Sequence, residues 1–223
     1  MRMACLCDED GLLVRESRVS DCVRACVRAS NDAVVSFGSR HEKIFPSSVR
    51  YDESTFVRAR NAVERFDADM GGTEILQPLR EILAQPQKPR YPRQLFCLTD
   101  GEVENTRDIL QLIRNQSGST RVFTFGVGAD ASKDLVQGMA REGRGRAEFV
   151  VSGERAETKV LQQLRRALQP AVENLRVQWL DESHQEVNNG SIETSPATLP
   201  PVFDGDQLIL YALGTQRPVG MCV

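Results

Sequence analysis

The sequence predicts an α/β fold, a mostly parallel central sheet flanked by helices in three layers, followed by a short, incomplete β extension. Three observations predict it. Apolar runs alternate with amphipathic stretches from Ala33 to Leu168, the pattern of a parallel sheet covered by helices. Several of the runs, such as Gln94-Leu-Phe-Cys-Leu-Thr99, are apolar without alternation, as strands buried on both faces are. After Pro170 the character changes to two isolated strand-like stretches, the first of them alternating, separated by a polar segment rich in Asn, Ser, Thr and Pro.

The elements follow in order. Ala33-Val-Val-Ser-Phe37 reads as a buried strand, and Lys43-Ile-Phe45, ahead of Pro46, as a short edge strand, where a proline is tolerated. Ser54 opens a helical pattern with Phe56, Ala59, Val63 and Phe66 on one side. Gly71-Gly72-Thr73 breaks the chain. Ile75, Leu76, Leu79, Ile82 and Leu83 then recur at helical spacing, with Pro78 early enough to sit in the first turn. Gln94–Thr99 is the clearest buried strand and stops at Asp100-Gly101. A helix over about Thr106 to Asn115 follows, stopped near Gly118. Arg121–Val127 is a strand in which Gly126 marks close packing, and Asp130 or Ser132 can cap a helix running to about Ala140. Glu148–Val151 reads as a strand and Ala156–Leu168 as a helix. Beyond Pro170, Leu175–Leu180 and Leu208–Leu213 read as strands and Glu186 to Pro201 as loop. The expected domains are a divergent segment over 1–30 with a remnant helix at Ser20 to Ala29, an α/β core over 31–170, and a β extension over 171–223.

Composition narrows the function classes. The chain has 223 residues, 40% hydrophobic and 26% charged, which suits a folded domain with a proper core. A net charge of -3 offers no basic footprint for nucleic acid or anionic lipid. No run reaches the ~18 to 20 apolar residues of a membrane span, and the first residues pass directly into Asp8, Glu9 and Asp10 without a secretory stretch. The expected location is the cytoplasm or nucleus. The six cysteines, at 5, 7, 22, 26, 97 and 222, lack zinc-finger spacing and read as free thiols, with Cys97 a small core residue. No serine, cysteine or lysine has a plausible neighbouring base motif, and His41 and His184 offer little for acid–base chemistry. Arg141–Arg146 reads either as an anion-binding stretch or as a solvated loop. Gly126-Val-Gly128 is half of a dinucleotide loop without the rest of the fingerprint. Trp179 reads as packing for the β extension.

Ligands of open parallel sheets sit beyond the carboxyl ends of the strands. The sequence puts two oxygen-bearing side chains there. Asp100 closes the most buried strand, and Thr73 follows a Gly-Gly turn at the head of a helix. Such oxygens suit a hard cation such as Mg²⁺. The plain alternative is that Asp100-Gly101 is a turn and Thr73 a helix cap.

Three segments carry a resemblance: Gly71-Gly-Thr-Glu-Ile-Leu-Gln-Pro-Leu-Arg80, Arg93-Gln-Leu-Phe-Cys-Leu-Thr-Asp-Gly-Glu102 and Arg121-Val-Phe-Thr-Phe-Gly-Val-Gly128. In order and spacing they resemble von Willebrand factor A domains, of the type found behind a VIT domain in the von Willebrand factor A domain 5 proteins and, more distantly, in inter-alpha-trypsin inhibitor heavy chains. The resemblance covers roughly Asn31 to Pro170. It implies a Rossmann-like fold and a non-catalytic adhesion or scaffold role. It also implies a metal-ion-dependent adhesion site built from an Asp-x-Ser-x-Ser motif after the first strand, a threonine and an aspartate. By position Thr73 and Asp100 match the last two, with Gly71, Gly72 and Gly101 shaping the loops. The Asp-x-Ser-x-Ser motif is not found in residues 1–20: Asp8 and Asp10 lack serines at the required spacing, and Leu12-Leu-Val14 is a poor first strand. The expectations are therefore a missing or replaced central strand, Mg²⁺ bound weakly or not at all, and a truncated form without the VIT domain. The expected partner is a protein, engaged through an acidic side chain that completes the metal shell. The rivals are an Asp100-centred phosphoryl-transfer or hydrolytic enzyme, and a truncated chain with no independent binding function.

Overall fold

The computed structural model describes residues 2–8, 32–46, 49–50, 52–65, 71–86, 93–100, 102–129, 131–151, 154, 156–169, 172, 175–183, 185–187, 192–197, 199–203, 206–214 and 220–222. The chain divides into two compact units, Met1–Leu168 and Gln169–Val223.

The first unit is built on six strands: β1 (Arg2–Asp8), β2 (Asp32–Phe37), β3 (His41–Lys43), β4 (Arg93–Thr99), β5 (Thr120–Val127) and β6 (Ala147–Val150). Their order is β3-β2-β1-β4-β5-β6. All neighbours are parallel except β2 and β3, which form an antiparallel hairpin at the edge. The five described helices are α1 (Glu53–Val63), α2 (Leu76–Leu83), α3 (Thr106–Gln116), α4 (Lys133–Glu142) and α5 (Ala156–Leu168).

Alternation along the strands sorts the core into two layers. On one face Val35, Phe37, Leu95, Cys97 and Val122 pack with Leu79 and Ile82 of α2, Ile109 and Ile113 of α3, and Leu135 and Met139 of α4. The buried Thr124 belongs to the same face and donates its hydroxyl to the carbonyl of Val136 in α4, at 2.7 Å. On the other face Phe96 and Phe123 stack with ring centroids 5.2 Å apart. Glu148, in register with Phe125, turns to that face too and pairs with Arg166 of α5 at 2.9 Å. Gly126 does mark close packing, because a Cβ there would fall 2.6 Å from the Phe149 ring.

Local chemistry explains where the helices start and stop. Asp52 caps α1 in a reciprocal box, accepting from the Thr55 amide at 2.8 Å while its own amide donates to the Thr55 hydroxyl at 2.9 Å. Ser132 accepts from the amide of Leu135 and caps α4. The C-terminal carbonyls of α2 are taken up by Arg93, whose guanidinium donates to Leu83 O at 3.2 Å and Gln85 O at 2.6 Å. Arg93 can therefore open a buried strand while only 3% exposed.

Two expectations are corrected. The central strand is neither missing nor replaced: β1 occupies the middle of the sheet, between β2 and β4. Its apolar run, Met3-Ala-Cys-Leu-Cys7, starts at the third residue and owes part of its hydrophobicity to two cysteines, a residue type that counts as small and apolar. The segment Glu186 to Pro201 is not all loop. Ile192–Ser195 forms β8, antiparallel to β9 (Tyr211–Gly214), while β7 (Gln178–Leu180) pairs with β10 (Gly220–Cys222). Only four residues long and surrounded by polar residues, β8 has little periodicity of its own. Its pairing with β9 and the bond from Trp179 Nε1 to the Thr194 hydroxyl, at 2.9 Å, define it. Trp179 thus packs within the second unit, as expected. The expected helix at Ser20 to Ala29 lies outside the described residues, as do Phe66 and Asp130.

Candidate functional site

Parallel strands bring their carboxyl ends to one end of the sheet. There β1 ends at Asp8, β2 at Phe37 and β4 at Thr99. The chain leaves β1 to form β2 on one side, then crosses to form β4 on the other, so the strand order reverses beside β1. A reversal of this kind opens a crevice for ligands. Register places the termini closely. Asp8 is level with Phe37, and Cys7 with Leu98, so Asp8 stands beside Thr99 and one residue short of Asp100.

This changes the standing of Asp8. The residues after it, Glu-Asp-Gly-Leu12, hold no serine at the motif spacing, yet Asp8 does close the first strand. The signal in the sequence is a five-residue apolar run ending in an acid, obscured by its cysteines and its position at the chain start.

Asp100 is half-buried at the end of β4, as its strand predicts. Gly101 lies outside the described residues. Thr73 is half-buried in the loop before α2. It does not act as a helix cap: α2 has Ile75 at its N-cap position and no side-chain cap. Gly71 and Gly72 have φ of 55° and 64°, a left-handed pair that glycine adopts without a Cβ clash.

The Gly71–Glu74 loop is tied to the turn between β2 and β3, a connection that the sequence pattern does not reveal. The Ser39 amide donates to the carbonyl of Gly71, and the Glu74 amide donates to the carbonyl of Gly38 at 2.9 Å. Below this junction Glu81 of α2 receives Lys43 and, at 3.1 Å, His41 Nε2 from β3. The Lys43 ammonium, followed by His41, lowers the Glu81 carboxyl to about 2.

Among the described residues no group of three His, Cys, Asp or Glu side chains gathers as a metal cage. An open cavity of about 1020 Å³, lined by Ser36, Lys43, Val57 and Asn61 among others, lies against β2, β3 and α1 rather than at the strand ends. Arg144, in the expected solvated loop, adopts φ 54° beside Glu142, which is paired with Arg114 at 2.7 Å. No described helix is long and apolar enough to cross a membrane.

The profile of the von Willebrand factor type A domain matches residues 18–149. Human von Willebrand factor A domain-containing protein 5B1 is 36% identical over 200 residues, covering 88% of this chain and 16% of that protein. Human von Willebrand factor A domain-containing protein 5A is 39% identical over 184 residues, covering 82% of this chain and 23% of its own length. The chain thus spans less than a quarter of the length of these relatives. Among solved structures, a von Willebrand factor type A protein from Catenulispora acidiphila superposes with a TM-score of 0.66 at 16% identity, over 99% of this chain and 55% of that one. Proximal thread matrix protein 1 from the mussel byssus, in a structure with a zinc-occupied adhesion-site motif, has a TM-score of 0.62 at 16% identity, over 77% of this chain and 48% of that one. Sheet order, strand-end loops and family profile agree, and the chain belongs to the von Willebrand factor type A domain family.

Proposed function

We propose that this chain is a non-catalytic protein-interaction module that engages its partner over the strand-end face formed by Asp8, the Gly71–Thr73 loop and Asp100, with Mg²⁺ as a bridging ion. Domains of this family are generally interaction and adhesion modules, and the switch point beside β1 carries the reading. The donor set supports a hard cation: two carboxylates and a hydroxyl, all oxygen, without the nitrogen or sulfur that zinc favours. Thr73 and Asp100, with Asp8 at the neighbouring strand end, would hold the ion. The ion supplies a positive centre for an acidic side chain of the partner. Fewer protein donors make this site weaker than one with the whole motif. The reading is one of binding, in the cytoplasm or nucleus.

Thermal melts in Mg²⁺ and in chelator test the metal. At ~100 times the dissociation constant a bound ion should add ~2.7 kcal/mol to stability, and Asp100→Ala should lose that increment. An unchanged wild-type melt would remove Mg²⁺ from the proposal. Phosphate-ester turnover that disappears in Asp100→Ala would overturn the non-catalytic reading.

A further inference from the structure

We propose that Ser39, at the tip of the β2–β3 hairpin, is a positioning residue for the candidate site: it locks the Gly71–Gly72 turn and thereby sets where Thr73 stands. The inference rests on the interaction reading above only in giving Thr73 a task. The lock itself is read from geometry. Its backbone half is the pair of hydrogen bonds from the Ser39 amide to Gly71 O and from the Glu74 amide to Gly38 O, which bracket Thr73 on both sides in the sequence. Its side-chain half is steric. A Cβ on Gly72 would lie 2.8 Å from Ser39 Oγ and 3.6 Å from Ser39 N, so a larger residue at 72 would require the serine hydroxyl to shift. The turn holds glycine at 72 because of its φ of 64°, and the serine hydroxyl stands against it.

The hairpin can serve as a fixed wall because it is held at both ends. β3 is hydrogen-bonded to β2 in register from Val35–Lys43 to Phe37–His41. The side chains of His41 and Lys43 then fasten the same strand to Glu81, one residue before Ile82 on the buried face of α2. The loop carrying Thr73 and the helix it leads into are thus gripped by one hairpin at two levels. A mobile loop would have to spend binding energy on ordering before it could present a hydroxyl, whereas this one is ordered in advance.

The test uses the whole 223-residue chain, amide hydrogen exchange, and Mn²⁺ binding followed by loss of the free-ion EPR signal. In the wild type the Glu74 amide should exchange slowly. Gly72→Ala should speed exchange at Ser39 and Glu74, leave the β4 and β5 amides unchanged, and weaken Mn²⁺ binding about tenfold. Ser39→Ala alone keeps its backbone donor and should change little. In the Gly72→Ala background it removes the colliding Oγ, so the double variant should recover part of both losses. A wild-type Glu74 amide that exchanges at open-chain rates would overturn the lock without reference to any variant. A double variant indistinguishable from Gly72→Ala would overturn the side-chain half of the lock. If the wild type binds no Mn²⁺, the metal reading above fails, and the exchange data alone decide the lock.

Discussion

Glu81 carries a charge that acid removes only with difficulty, because Lys43 and His41 both bond to it. Its folded pKa of about 2 lies below the ordinary 4.5, so the carboxylate's contribution to stability is complete above about pH 4.5 and is lost as pH falls through 2. Glu81→Gln should flatten the pH dependence of the melting temperature in that window and leave it unchanged near neutrality apart from a constant offset. Equal acid sensitivity in both proteins would mean that another carboxylate carries the effect. Phe96 is a plainer case. It is fully buried and stacked on Phe123, so Phe96→Ala should cost ~3–5 kcal/mol of unfolding free energy in urea titrations. Single residues also mark the boundary of what could be read in the sequence. The places of Asp100 and Thr73 in the fold were legible because each sits next to a strong local signal, a buried strand and a Gly-Gly break. Ser39 was not, because its role is a contact with residues more than thirty positions away. Asp8 was visible only as an acid without its serines, since the strand that gives it a place is disguised by Cys5 and Cys7.

Elements with their own periodicity and punctuation were read most closely. Helix α5 spans the expected Ala156–Leu168, and β4 gains only Arg93 at its start. Helix α1 begins where Asp52 and Thr55 can bond reciprocally, and Asp52→Ala should cost ~1 kcal/mol, measured as a lower midpoint in thermal or urea unfolding. A midpoint unchanged by that substitution would show that packing of Ala59 and Val63 alone sets the helix start. The edge strand lies at His41–Lys43 rather than Lys43–Phe45. The hairpin with β2 dictates the pairing, and the amide of Ile44 already bonds back to Val34 O at 3.0 Å, outside the regular ladder. Strand β8 shows the converse, an element created by its partners. Ile192 is buried, Trp179 bonds to Thr194, and the four residues become a strand although their neighbours read as loop.

At the scale of the molecule, the order β3-β2-β1-β4-β5-β6 makes β1 the strand on which the sheet depends. Without it β2 and β4 would each lose a parallel ladder, leaving two open edges in the middle of a hydrophobic sheet. A chain lacking residues 1–8 should therefore lose its cooperative thermal transition by circular dichroism. A normal transition would mean that β2 and β4 can close the gap themselves. The alternation of apolar runs and helices was enough to predict the three-layer class, because that class follows from local periodicity. The centre of the sheet was not legible, because the strand at the centre is the one with the weakest signal of its own. The second unit keeps Ile209, Tyr211 and Leu213 exposed at 63%, 69% and 78%, an apolar stripe along and beside β9 within the apolar run Leu208–Leu213.

The central claim is that the strand ends of β1 and β4, with the loop before α2, make one binding surface. The direct measurement is a Mg²⁺ titration of the isotopically labelled chain followed by backbone amide NMR. Saturable shifts should concentrate at Asp8, Ser39, Thr73 and Asp100 and be absent in Asp100→Ala. Shifts scattered over the acidic surface, or none at millimolar Mg²⁺, would contradict the claim.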